Sequence, residues 1–236
     1  MALEKAWLRV ETIEKEDCTA TTCPGGRRAA GEDPAKREQI LDGAKRIFMS
    51  TGFDAASMND ITREAGVSKG TIYVYFQDKE DLFAQLIERE RARVVQNVKH
   101  ALDDHEPVDE ALFEFGMTLI THITADHTVR AMRMVLGVSD RMKALAKRFF
   151  AGSQENGITV LKAYLEKQVR LGRFDIPDTE LAARQFIELS LAGMAKRRLF
   201  GEMEAPPPRE YIEKTVTSAI RIFKAAYEVG AAAHSR

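Results

Sequence analysis

The chain has 236 residues, of which 44% are apolar, 8% aromatic and 30% charged, ample for a buried core and too long for a disulfide-stapled miniprotein. Lys plus Arg total 35 against 36 Asp plus Glu, a formal charge of −1, so no global basic excess announces a polyanion partner. No run approaches the ~18–20 uninterrupted apolar residues that span a bilayer, and residues 1–10 lack the basic start and apolar stretch of a secretory signal; the expectation is a cytoplasmic protein with no membrane partner.

Residues 1–33 show no sustained apolar period and read as an N-terminal arm outside the fold. The two cysteines, Cys18 and Cys23, lie there, and no second Cys pair or His set completes a zinc site, so neither metal nor cofactor is expected. Arg27 and Arg28 in the same arm read as a solvated pair. At Asp33-Pro34 an N-cap followed by proline opens a helix whose apolar residues Ile40, Leu41, Ala44, Ile47 and Phe48 share one face; Gly52 ends it. Three further start signals follow: Ser57 with Asp60, Ser68 after Ala65-Gly66-Val67, and Asp78 with Asp81. The first two cap short helices, Met58 to Ala65 and Lys69 to Phe76, joined at Gly66, where a left-handed backbone is needed. Two short helices joined by a tight glycine turn form a helix-turn-helix.

The rest is helical in pattern. Leu82, Phe83, Leu86 and Ile87 start a long helix running to about Ala101 or Leu102, and Pro107 begins another. Shorter segments follow near His127 to Val138 and Asp140 to Ala151. Then come Ser153 to Leu171, Asp178 to about Phe200 and Pro208 to Val229, closed by Gly172, Gly201 and Gly230. No segment sustains a period of two, so the fold class is all-α: a helix-turn-helix domain over 34–80 and a helical domain over 81–236.

An α-helix fits the DNA major groove, where base edges are distinguishable, and the second helix of such a pair is the reader. Its start, Ser68-Lys69-Gly70-Thr71, offers a hydroxyl, an ammonium, backbone amides and the positive end of the helix dipole. Ile72 and Phe76 can face the core, leaving Thr71, Tyr73, Val74 and Tyr75 over the remaining surface, with Lys79 just beyond placed to grip phosphate. Against this, residues 34–90 carry eight Lys and Arg and ten Asp and Glu, a net of −2, so non-specific DNA binding should be weak and affinity should rest on specific dimeric contacts.

Thr51-Gly52-Phe53, Ser57 to Ile61, the run Ala65-Gly66-Val67-Ser68-Lys69-Gly70-Thr71-Ile72-Tyr73-Val74-Tyr75-Phe76 and Lys79-Glu80-Asp81-Leu82 are together similar to the DNA-binding domain of the TetR/AcrR family of transcriptional repressors. The similarity covers about residues 36 to 88. It implies a three-helix N-terminal module joined through helix four to a helical domain that dimerises and holds an inducer pocket. It also implies that Ser57 and Asn59 meet the backbone and a base edge. Lys69, Gly70, Thr71, Tyr73 and Tyr75 would form the recognition surface, and Lys79 would bind phosphate. Further on, Arg170 to Phe174 and Pro177 to Ala183 with Phe186 resemble the C-terminal domain of the AefR-like branch.

Two faces in the C-terminal half are candidates for partners. Leu189, Ala192, Gly193, Val216, Ala219, Ile220, Phe223 and Tyr227 mix small and large apolar residues, as a two-fold four-helix dimer interface requires. Phe113, Met117, His122, Met132, Met134, Phe149, Tyr164, Gln168 and Phe186 mix soft apolar groups with polar handles and are the candidate inducer contacts. His122 and His127, five apart, do not share a helical face and read as solvated or packed. No nucleophile triad, paired-carboxylate site or phosphate-cradling glycine loop stands out, so no enzymatic activity is expected. The functional expectation is a homodimer that binds a palindromic double-stranded operator and is released by a small apolar or amphipathic inducer. The alternative is a DNA-binding regulator with no small-molecule inducer, controlled by a protein partner or acting as an activator.

Overall fold

Helix boundaries in the N-terminal third are set by side-chain caps and one glycine. In the computed structural model, which describes residues 33–103, 107–140, 143 and 155–230, the Asp33 carboxylate accepts from the amides of Ala35 and Lys36 and opens α1 (Pro34–Ala55) with proline at its start. Gly52 interrupts α1 with φ 80°, ψ 172°, the stop its sequence position predicts. The Ser57 hydroxyl accepts from the Asp60 amide at the start of α2 (Met58–Ala65), and Gly66 closes that helix in the left-handed region at φ 63°, ψ 39°. The Ser68 hydroxyl accepts from the Thr71 amide and starts α3 (Lys69–Tyr75). These caps satisfy amides that a helix start leaves without partners.

Beyond them lie α4 (Lys79–Asp103), α5 (Val108–Thr124), α6 (Asp126–Val138), α7 (Gly157–Arg170), α8 (Thr179–Leu191), α9 (Met194–Leu199) and α10 (Arg209–Tyr227). Among the described residues no strand occurs; one isolated bridge pairs Phe174 with Glu228. The single helix expected from Asp178 to Phe200 is instead two, because Ala192 (φ 43°) and Gly193 (φ 80°) turn the chain between α8 and α9. Helix α7 starts at an Asn156–Thr159 capping box, in place of the start at Ser153 that the sequence predicts. Ser153 and most of the segment Asp140 to Ala151 lie outside the described residues.

Two hydrophobic cores result. The first gathers Ile40, Leu41, Phe48, Ile61, Ile72, Phe76 and, from α4, Leu82, Phe83 and Leu86. Phe48 and Phe83 meet edge to face at 5.0 Å between centroids. This core also takes Val135 and Val138 of α6, so it extends well past residue 80. The second core is built by Val95, Val98 and Leu102 of α4 with α5, α7, α8 and α10, and Phe186 meets Phe223 in it at 5.5 Å. Arg198, 2% exposed, fastens the α5–α6 corner to the segment before α10: its guanidinium donates to the carbonyls of Thr124, Met203 and Glu204 and pairs with Asp126.

The α1–α2 crossing leaves no room for a side chain at Gly43, where an added Cβ would sit 2.8–2.9 Å from the Cβ, Cα and amide nitrogen of Ala65. Backbone cannot yield as a flexible side-chain tip does, so Gly43→Ala should force the helices apart. The expected loss is about 1–3 kcal/mol in urea unfolding followed by circular dichroism; an unchanged midpoint would contradict this packing.

Candidate functional site

The reading helix is anchored from below and open above. Ile72 is fully buried and Phe76 is 1% exposed, which fixes the rotation of α3 about its axis and turns the other side outward. Tyr73 and Val74 are 47% and 49% exposed, and Lys69 and Gly70 are also exposed, with Thr71 half-buried. Thr71 is steadied by a 2.7 Å hydrogen bond between its hydroxyl and that of Ser68. On α2, Asn59 is exposed while Ser57, half-buried, spends its hydroxyl on the cap and on Asp60.

Two of the expected surface residues face inward. The Lys79 ammonium donates to the carbonyls of Phe53 (2.9 Å), Asp54 (3.3 Å) and Ala56 (3.0 Å) and lies 4.6 Å from the Phe53 ring centroid. An ammonium has three N–H donors, so here Lys79 closes the end of α1 and ties it to the start of α4, in place of the outward phosphate grip expected of it. Tyr75 is half-buried against the first core, and its hydroxyl accepts from the Asp33 amide at 3.3 Å, holding the start of α1. Both corrections have one cause: at the ends of a seven-residue helix, the neighbouring helix termini offer unpaired backbone groups within side-chain reach.

Several acids of this domain are paired away from α3. Arg89, with its side chain 8% exposed, pairs with Glu38 (3.1 Å), Asp42 (2.8 Å) and Glu90 (2.9 Å), while Lys45 pairs with Glu90 at 2.7 Å and Arg46 with Glu64. These contacts fasten α1 to α4 and to α2, and α3 itself carries Lys69 and no acid.

A cavity of about 280 Å³ opens where α1, α4, α5 and α6 meet. Its walls are mainly apolar, with Phe83, Leu86, Ile87 and Val94 from α4, Leu119 and Ile123 from α5 and Met132 from α6; Lys45 and Met49 of α1, Glu90, Arg91, His122 and His127 also line it, as do Asn156 and Gly157 at the head of α7. Of the expected inducer contacts, His122 and Met132 line this space. Phe113 lines a separate open groove between α5 and α10. Met117, Tyr164, Gln168 and Phe186 are buried in the second core region, Met134 packs on the first core, and Phe149 lies outside the described residues. The α1 and α4 lining was missed because those residues carry the periodicity of ordinary core and surface positions, and nothing local signals a gap between helices.

The two histidines come together despite their spacing. The turn at Ala125 between α5 and α6 brings the rings to 5.4 Å, edge to face, and the His122 Nε2 lies 3.4 Å from the Thr128 hydroxyl. Burial, then His127, pushes the His122 imidazole down to about 4. Burial and then Lys45 lower that of His127 as well. Among the described residues no group of three metal-ligating side chains is present.

Comparison with known proteins bears on this geometry directly. Residues 40–86 match the family described as bacterial regulatory proteins, tetR family, and residues 110–229 match the AefR-like transcriptional repressor C-terminal domain. The HTH-type transcriptional repressor Rv1474c of Mycobacterium tuberculosis is 40% identical over 185 residues, covering 71% of this chain and 84% of that protein. The chain belongs to the TetR family of transcriptional regulators. The match to the repressor AcnR of Corynebacterium glutamicum, 38% identical over 71 residues, covers 30% of this chain and spans only 38% of that protein. Among solved structures, the flavonoid-responsive regulator FrrA is 28% identical with a TM-score of 0.70, covering 83% of this chain and 98% of that one. A Mesorhizobium loti structure, 23% identical with a TM-score of 0.75 and covering 82% of this chain and 97% of that one, shares the fold.

For a TetR-family protein the candidate dimer face must be corrected within one protomer. Val216, Ala219, Ile220 and Phe223 are 0%, 1%, 8% and 1% exposed and close the second core, so they are not available to a partner. Gly116 shows why: α5 approaches α10 so closely that a Cβ there would lie 2.7 Å from Val216. Tyr227 is half-buried against Phe223, with its hydroxyl donating to Gln185. Leu189 remains exposed, as do Ala192 and Gly193 in the α8–α9 turn. The large exposed apolar residues on α8 and α10 are Leu181, Leu189 and Ile222, the last on a side of α10 other than the one the small-residue pattern marked.

Both imidazoles take up protons more readily in the unfolded chain than in the folded one, so acid removes stability as pH falls from about 6.5 toward 4. His122→Gln should flatten the dependence of unfolding free energy on pH across that window, measured by urea denaturation at stepped pH; an unchanged slope would mean that His122 takes up its proton equally in the folded and unfolded chain.

Proposed function

We propose that this chain is a cytoplasmic homodimeric repressor that reads a two-fold symmetric operator through α3 and is released when a small amphipathic molecule enters the cavity between α1, α4, α5 and α6. The observation that carries the DNA reading is the asymmetry of α3: Ile72 and Phe76 are locked in the core while Lys69, Gly70, Tyr73 and Val74 stand in solvent on a helix free of acids. Seven residues meet few base pairs, so specificity calls for two copies about one DNA turn, ~34–36 Å, apart. Thr71 and, on α2, Asn59 and Ser57 extend the same surface; Lys79 and Tyr75 serve it by holding α1 and α4 in place.

The second copy is supported by α8 and α10, whose exposed Leu181, Leu189 and Ile222 leave apolar surface that a four-helix interface would cover. Release by a ligand is supported by the cavity and by the flavonoid-responsive regulator to which the chain is similar. Ligand acts by binding the DNA-competent and released arrangements unequally.

Tyr73→Ala should weaken binding to a DNA fragment selected by the wild-type protein by about 10-fold or more, the loss of one or two good contacts. Its unfolding free energy should stay within about 0.5 kcal/mol, since the side chain is exposed. Lys79→Ala should instead cost about 1–3 kcal/mol of stability through the lost carbonyl contacts. If Tyr73→Ala binds selected DNA normally in a gel-shift titration, α3 is not the reader. Ile222→Asp should convert the dimer to monomer in light scattering and abolish cooperative occupancy of a palindrome; a dimer that survives it would move the interface elsewhere.

A further inference from the structure

Burial of Ile72 and Phe76 fixes the rotation of α3 but not its tilt. The seven residues of α3 make a helix about 10 Å long, so a tilt of about 10° at its C-terminal end moves the other end by about 2 Å, enough to break hydrogen-bond distances. That end is held by a chain of polar side chains that crosses from α1 through α4 to the α3–α4 turn. The Arg37 guanidinium of α1 donates to Gln85 Oε1 of α4 at 2.6 Å, and the Gln85 amide donates to both carboxylate oxygens of Asp81, at 3.0 and 3.1 Å. Asp81 in turn accepts from the backbone amide of Gln77, the first residue after Phe76, at 3.1 Å, while its own amide donates to Asp78 Oδ1 at 2.7 Å. Arg37 also lies 5.8 Å from the centroid of the Phe76 ring and 3.8 Å from Glu38. The chain admits one polarity. Arg37 can only donate and the Asp81 carboxylate can only accept, so the residue between them must present an acceptor to one and a donor to the other, as an amide does.

We propose that Arg37, Gln85 and Asp81 are positioning residues for DNA reading, which together set the angle at which α3 meets α4. This rests on the reading by α3 above and adds the residues that orient it. All three are half-buried and none belongs to the first core, so their loss leaves the apolar packing of α3 in place and frees the turn. A reading helix that holds its angle only part of the time binds with an affinity reduced by that fraction. The polarity of the chain can be tested by exchanging its parts. Gln85→Glu alone sets carboxylate against carboxylate, and Asp81→Asn alone sets an amide nitrogen where an oxygen now accepts from Gln85 at 3.0 Å. In the double variant Asp81→Asn/Gln85→Glu, the carboxylate at position 85 accepts from Arg37 and from the new amide at position 81, whose oxygen accepts from the Gln77 amide. Every bond again has a donor and an acceptor, and the summed charge is unchanged.

The test uses the full chain in gel-shift titrations on DNA selected by the wild-type protein and on an unrelated duplex of equal length, each over a range of salt. Gln85→Met and Gln85→Glu should each weaken binding to the selected DNA about 10-fold, and Asp81→Asn/Gln85→Glu should return it to within about 2-fold of wild type. For Gln85→Met, affinity for the unrelated duplex should stay within about 2-fold and its salt slope should match wild type, because no phosphate contact is removed. A role confined to folding would lower both affinities together. Hydrogen exchange at the Gln77 amide should rise in Gln85→Glu and fall back in the double variant. Wild-type affinity in Gln85→Met, an equal loss on both duplexes, or a double variant no tighter than Gln85→Glu would overturn the assignment. Should Gln85→Met fail to fold by circular dichroism, Gln85→Glu against the double variant decides. Tyr73→Ala separates the two readings. If it binds selected DNA weakly while both Gln85 variants bind as wild type, α3 reads DNA without this support; if it binds normally, the reading by α3 fails and this assignment with it.

Discussion

Helix α4 gives its first half to one hydrophobic core and its second half to the other. Leu82, Phe83 and Leu86 are packed among α1, α2 and α3; Val95, Val98 and Leu102 are packed among the C-terminal helices. A continuous helix of 25 residues is stiff over that length, so neither core can rotate without carrying the other. The return of α6, which places Val135 and Val138 in the first core, adds a second mechanical link. Coupling between the N-terminal domain and the cavity needs an element with contacts on both sides; α4 and α6 both line the cavity and pack in the first core.

The same junction concentrates the charge of the N-terminal domain. Arg89 and Lys45 draw Glu38, Asp42 and Glu90 into one network between α1 and α4, so three of the ten acids over 34–90 are spent on internal pairing. What faces outward on α3 is a lysine, a glycine, an aromatic ring and an aliphatic side chain. Net charge summed along a sequence therefore misjudges this surface, because it ignores which charges already have partners. Lys79 spends its charge-assisted hydrogen bonds on backbone carbonyls at the end of α1, and Arg198 spends its own on the Thr124 carbonyl at the end of α5 and on carbonyls of the loop before α10, acceptors that would otherwise lack partners.

The cavity lies beside this network. Its polar edge includes Lys45 and Glu90, which also join α1 to α4, and His122 and His127, which meet across the α5–α6 turn. A molecule seated there touches the joint as well as the walls. Position at the joint, more than depth within the C-terminal domain, makes this space suited to control.

Where rules act over three or four residues, the sequence by itself determined the outcome. Asp33, Ser57 and Ser68 cap helices because a side-chain oxygen meets an amide two or three residues on, Gly66 turns because it has no Cβ, and Ile72 and Phe76 point inward because they are four apart. The all-α class and the helix-turn-helix follow from these. Tertiary structure decided what depends on which helices touch. It turned Val216, Ala219, Ile220 and Phe223 inward and left Ile222 outside, split the helix at Ala192, and placed Met134 on the first core. It also brought His122 against His127 and opened a cavity lined from α1. Apolar periodicity fixes which face of a helix is buried, but a cavity and a dimer face arise from space left between helices and from surface their packing fails to cover, and neither quantity is carried by any single segment.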